Sequence, residues 1–170
     1  MESAFLIEET KSKEEIREEL DQLEIQVFRM QQNMKEIAKQ AEIIGIDQTK
    51  DDNWVIVYAK EEADTFQLML HDCRQAFRGD WHSALEAAYR DANTLHIAEI
   101  KGETNQGYGS VLMNHLKEKA KEENIRYITG DLVERDYDHV DRLTYFYQKH
   151  NFEVSFDHEE KCGEIVWNDW

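Results

Sequence analysis

Gly107 and Gly109 stand one residue apart between a strand-like run and a helical one, and that junction constrains this chain more than any other stretch. Upstream, residues 94–100 are rich in the β-branched and apolar types that suit a strand. Downstream, Leu112, Met113, Leu116 and Ala120 recur on one side of a helix that opens at Gly109 or Ser110 and runs to Glu122. Asn124 suits a left-handed helix exit, and residues 125–133 read as a further strand. A strand, a helix and a strand joined in this way form a βαβ unit, which demands parallel strands and a right-handed crossover. At the turn, glycine lets the backbone reverse tightly and lets a ligand come close. The amide N–H groups left without acceptors at the helix start, aided by the helix dipole, make a cradle for an anion.

The segment before this unit has a different rhythm. Ile16, Leu20, Leu23, Val27, Met30, Met34, Ile37, Ala41 and Ile44 follow alternating steps of four and three, a heptad seam within residues 10–44. Ser12 with Glu15 forms a capping box at its start, and Gly45 is a natural stop. Two readings stand open: a long helix lying on its own domain, or a coiled coil with a second chain through residues 12–44. Residues 4–7 suit a first short strand, 47–53 a polar connection, and 54–58 and 66–70 a hairpin. Asp80 caps an expected helix over 80–91 with Trp81, Ala84, Leu85 and Ala88 on one face. Asp138 and Asp141 open a helix bearing Val140, Leu143, Phe146 and Tyr147. Residues 152–156 and 164–167 read as a closing hairpin around a charged loop. The expected class is α/β with a mixed sheet, a 1–50 segment carrying the long helix and a 51–170 domain.

Composition narrows the function. A formal net charge of -17 argues against general nucleic-acid or anionic-membrane binding and suits a cationic partner. Two cysteines, Cys73 and Cys162, do not make a disulfide scaffold, and no apolar run approaches membrane length. The expectation is a soluble, cytoplasmic protein. His, Asp, Glu and Cys crowd residues 71–73 and 157–162, but without the spacing of a zinc or calcium site, so no metal is expected.

Three phosphate-binding signatures compete at the turn. Gly102 and Gly107 have the spacing of P-loop glycines, but Tyr108 and Gly109 occupy the positions of the required Lys and Ser/Thr. A dinucleotide fingerprint needs three glycines at another spacing. The third signature fits best. Residues 106–113, Gln-Gly-Tyr-Gly-Ser-Val-Leu-Met, resemble the pyrophosphate-binding motif of the GNAT acyltransferase superfamily, Arg/Gln-x-x-Gly-x-Gly/Ala at a helix start. Thr104 departs from the Arg/Gln position. Residues 142–153 resemble that family's helix ending in Phe-Tyr-x-Lys-x-Gly-Phe, with Asn151 in place of the glycine.

The resemblance implies a GNAT-like, mostly antiparallel central sheet flanked by helices, with the heptad helix added. It implies acetyl-CoA or another acyl-CoA as cofactor and an amine acceptor. It sets the pantetheine arm near Glu99, Ile100 and Lys101, and the pyrophosphate on Asn105, Gln106, Gly107, Tyr108, Gly109 and Ser110. Tyr147 takes the position of the general acid, with Tyr145 as second choice. A core aromatic is the other reading of Tyr147. Glu99 is the first candidate for the base, with Glu103 and Asp131 as rivals. The acidic balance suits a cationic acceptor. A different class of function also fits: a non-catalytic protein on the same fold that binds a partner, or a second copy, through the heptad helix.

Overall fold

The structure, a computed structural model, describes residues 10–169. The strand expected over residues 4–7 lies outside the described residues. Helix α1 (Lys13–Ala38) leads into strands β1 (Glu42–Gln48), β2 (Trp54–Glu62), β3 (Thr65–Asp72), β4 (Ser83–Asp91) and β5 (Thr94–Gly102). Helix α2 (Tyr108–Glu122), strand β6 (Tyr127–Leu132), a 3-10 turn (Glu134–His139) and helix α3 (Val140–Lys149) follow. Strands β7 (Glu153–Asp157) and β8 (Cys162–Asn168) close the chain. All eight strands form one sheet in the order β1-β2-β3-β4-β5-β6-β8-β7. Among the described residues only β5 and β6 run parallel, as the βαβ unit requires, and every other pair is antiparallel.

The two faces of the sheet carry separate cores. On one, Leu112, Met113, Leu116 and Ala120 of α2, all fully buried, pack on Leu68, Leu70, Leu85, Leu95 and Ile128, with Tyr147 of α3 in the same cluster. On the other, Ile37 packs with Ile56, Tyr58, Met69 and Phe77, and Met30 and Met34 lean on them. The α1 seam is therefore shared. Its last third lies on the sheet, while Ile16, Leu20, Leu23 and Val27 are about half exposed.

Two expectations need correction. The residues expected as a helix from Asp80 form strand β4. The spacing of Trp81, Ala84, Leu85 and Ala88 imitated a helical stripe because β4 is covered on both faces: Ala84 belongs to one core, and Leu85 and Ala87 to the other. Such a strand loses its polar alternation. The heptad seam also overran the helix, which ends at Ala38 rather than near Ile44. Ile44 is the extra residue of a bulge in β1, and Gly45 is not a helix stop but a strand residue beside the His115 ring. Strand β1, within the 1–50 segment, is hydrogen-bonded into the same sheet as the strands that follow. Asn124 and Asn151 hold the expected left-handed conformation, with φ of 56° and 65°.

Candidate active site

The site begins with a break in sheet pairing. Strands β5 and β6 are in register from Thr94/Tyr127 to Ile97/Gly130 and then part. Beyond that point β5 stays with β4 as far as Gly102, and β6 stays with β8 as far as Leu132. A bulge marks the parting: Glu86 faces Glu99 and Ala87 faces Ile97, leaving Ala98 as the additional residue. A bulge bends its strand and sharpens its twist, which turns β5 away from β6. The Glu103 amide donates to the His82 carbonyl at 3.1 Å. By antiparallel alternation, Lys101 and Glu99 then turn their peptide groups toward β4, and Ile100 turns its own toward the open side. A donor and an acceptor of the backbone thus face a cleft of about 700 Å³.

The glycine turn stands at the mouth of this cleft. Gly107 is the N-cap of α2 with φ 79°, and no side chain caps the helix. The peptide N–H groups of Tyr108, Gly109 and Ser110, the first residues of α2, have no acceptor within the helix. Asn105 is also left-handed, with φ 61°. Gly109 packs closely: a Cβ there would lie 3.3 Å from the Phe146 ring of α3, which would have to give by a few tenths of an ångström. Lys50, in the loop between β1 and β2, runs along Gly107, its Cγ 3.4 Å from where a Cβ would stand.

Most of the residues singled out from the sequence line the cleft together: Glu99, Ile100, Lys101, Asn105, Gly107, Tyr108, Gly109, Ser110, Tyr145 and Tyr147. Gln106 is half-buried and does not line it. Tyr108 takes part through its backbone alone. Its ring is in the core and its hydroxyl donates to Asp72 Oδ2 at 2.6 Å. Burial would raise the Asp72 carboxyl, but hydrogen bonds from Arg74 and Tyr108 hold it below its ordinary value. The Ser110 hydroxyl is paired with His150 Nε2 at 3.0 Å. Burial, with Lys117 and Lys149 nearby, pushes that imidazole down to about 4, so it is neutral at pH 7. Lys117 reaches the His150 carbonyl rather than the cleft.

Tyr147 is a core side chain that also meets the cleft. Its ring packs on Phe146 and Phe152 at 5.2 and 5.4 Å between centroids, and it borders the cleft. Burial, with a contribution from Asp136, pushes the phenol up to about 12, so it holds its proton at neutral pH. Tyr145 is far more exposed, at 71%. Among the carboxylates, Glu99 is salt-bridged to Lys101 at 3.1 Å. Asp131, across the cleft on β6, lies 3.3 Å from His96 Nε2, and His96 Nδ1 lies 2.8 Å from Thr129 Oγ1.

The cleft also gathers Lys50, Arg135, Arg142 and Lys149, which no local pattern had brought together. They come from three stretches: Lys50 from the β1–β2 loop, Arg135 from the 3-10 turn, and Arg142 and Lys149 from α3, where both fall within the 142–153 motif. Among the described residues, no group of three or more His, Cys, Asp or Glu side chains is placed to hold a metal ion. Among the same residues, no helix is long and apolar enough to cross a membrane.

Sheet order, splayed central pair and glycine turn together define the GNAT fold, and solved structures agree. The GNAT domain of S. lividans PAT superposes with a TM-score of 0.55 over 76% of this chain and 97% of that one, at 9% identity. A cAMP-binding acyltransferase from Mycobacterium smegmatis gives a TM-score of 0.55 over 79% of this chain and 50% of that one, at 12% identity. No family model matches the sequence. Within this fold the chain belongs to the family of the uncharacterized protein YocC of Bacillus subtilis (strain 168). The two are 46% identical over 165 residues, which is 97% of this chain and 99% of YocC.

Proposed function

We propose that this chain is an acyl-CoA-dependent N-acetyltransferase, which passes an acetyl group directly to an amine within a ternary complex. The observation that carries the reading is the parting of β5 from β6 beside the uncapped N-terminus of α2. One end of the cleft offers converging amide donors for a pyrophosphate, and the other offers a free strand edge for an extended amide-bearing arm. The residues present fit such a group. Gly107 keeps the approach to the cradle clear, and Lys50 lies alongside it where Thr104 cannot supply a cation. The acyl-CoA thioester would supply an activated acyl group.

The chain's own groups then have separable tasks. The Ile100 peptide faces the open side and can align the arm and hold negative charge developing on a carbonyl oxygen. Tyr147, protonated and at the cleft wall, suits the donation of a proton to a departing thiolate. Glu99, Glu103 and Asp131 all line the cleft and are the candidates to take a proton from the incoming ammonium, directly or through water. The fold neighbours named as acyltransferases support the reading.

Calorimetry with acetyl-CoA tests it. Binding tighter than about 1 mM is expected. Tyr147→Phe should slow acetyl transfer by on the order of 100-fold while leaving acetyl-CoA affinity nearly unchanged. No heat of binding at millimolar ligand would sink the proposal. Weakened binding with an unaltered rate would remove Tyr147 from its role.

A further inference from the structure

We propose that the exposed half of α1 pairs with the same segment of a second copy of this chain, in antiparallel orientation. The observation is a divided seam. Met30, Met34 and Ile37 are spent on the sheet, but Ile16, Leu20, Leu23 and Val27 continue the same stripe into solvent, 46–54% exposed. In heptad terms Leu20 and Val27 are a positions, and Ile16 and Leu23 are d positions. Antiparallel pairing sets a against d. With Leu20 opposite Leu23 of the second copy, Ile16 falls opposite Val27. The four residues then form four closed layers related by a two-fold axis, as an isologous contact requires.

Charge selects this orientation. The positions flanking the seam are Arg17 and Glu24 at e, and Glu19 and Gln26 at g. A parallel, in-register pair would set Glu19 against Glu24 of the other helix, twice. The antiparallel pair sets Arg17 against Glu24 twice, and Glu19 against the neutral Gln26. Geometry agrees. In this register Lys13 of one helix comes level with Met30 of the other, where α1 first meets its own sheet. The overlap therefore uses the whole projecting stretch, and each domain sits at its own end of the pair. Ile25 and Phe28 lie off the seam and are not used by it.

Sedimentation equilibrium of the full chain tests this, because residue 24 is exposed and far from the sheet core. The wild type should form a concentration-dependent dimer at on the order of 100 µM or below, as befits a short seam. Glu24→Arg should weaken the dimer about tenfold by placing Arg against Arg17 twice, and the double exchange Arg17→Glu with Glu24→Arg should restore it. A tighter dimer on Glu24→Arg alone would mean parallel helices and overturn the proposal. A wild-type chain that stays monomeric at 100 µM would overturn it as well.

Discussion

His150 provides a test of the structure that needs no ligand. It is 6% exposed, its Nε2 lies 3.0 Å from the Ser110 hydroxyl, and its imidazole is held neutral by burial and two nearby lysines. In the unfolded chain it titrates near 6.5, against about 4 in the folded protein. Between those values the unfolded state binds more protons, so stability must fall as pH drops through that window. The contribution is intact above pH 6.5. At pH 5 the loss amounts to about 2 kcal/mol, and below pH 4 it levels off near ~3 kcal/mol. His150→Gln keeps a polar group toward Ser110 but cannot titrate. Urea denaturation of both proteins at intervals from pH 7.5 to 4.5 isolates the term, because titrations common to both cancel in the difference. The variant should begin slightly less stable at pH 7.5 and lose less on acidification, so that the two curves converge or cross near pH 5. If they ran parallel over the whole range, His150 would be accessible to protons in the native state. The packing of α3 against the start of α2 would then be wrong.

Three further substitutions probe the turn and its support. Gly102→Ala places a Cβ 2.4 Å from the His82 carbonyl at φ 131°, so it should cost more than about 2 kcal/mol by urea denaturation. Gly107→Ala meets only the flexible Lys50 stem and the left-handed strain of about 1–2 kcal/mol, and equal losses at both sites would contradict the observed β4–β5 register. Tyr108→Phe removes a donor to the buried Asp72 carboxylate and should destabilise by about 1.5–3 kcal/mol at pH 7. That loss should shrink on acidification as the Asp72 carboxylate, depressed by its hydrogen bonds, takes up a proton; a pH-independent loss would deny the ionic partner.

What could be read from residues alone was local and periodic. The elements of the βαβ unit, the glycine turn, the β2–β3 hairpin and the Tyr147 helix each announce themselves through local spacing and turn chemistry. Strand β4 did not, because a strand buried on both faces carries no alternation and its alanines suit a helix equally well. The cleft was half legible. Its backbone part lies within the turn itself, whereas Lys50 and Arg135 reach it from separate elements that only the fold assembles. The divergence of β5 from β6 could not be foreseen either. It depends on the bulge at Ala98, whose position is set by pairing with β4 and by nothing in the residues 97–99 themselves.

The bulge and the charge distribution bear on one question that the proposed function raises: how a chain with a net charge of -17 would bind a polyanion. A large uniform negative field would oppose it. Here the opposition is met locally. The bulge frees the Ile100 peptide, the αL turn at Gly107 bares the first amides of α2, and both are fixed dipoles whose strength does not depend on net charge. Lys50, Lys101, Arg135, Arg142 and Lys149 line the cleft together with Asp47, Glu99, Glu103, Asp131 and Asp136, so its side chains are close to charge balance rather than as acidic as the exterior. A consequence separates the two contributions. Lys50→Ala should weaken acetyl-CoA binding, and the deficit should narrow as salt is raised, because salt screens side-chain charge over about a Debye length. The residual affinity at high salt reports the backbone cradle. Were wild type and variant indistinguishable at every salt concentration, the turn would hold its ligand through backbone groups alone, and Thr104 would have no substitute in this fold.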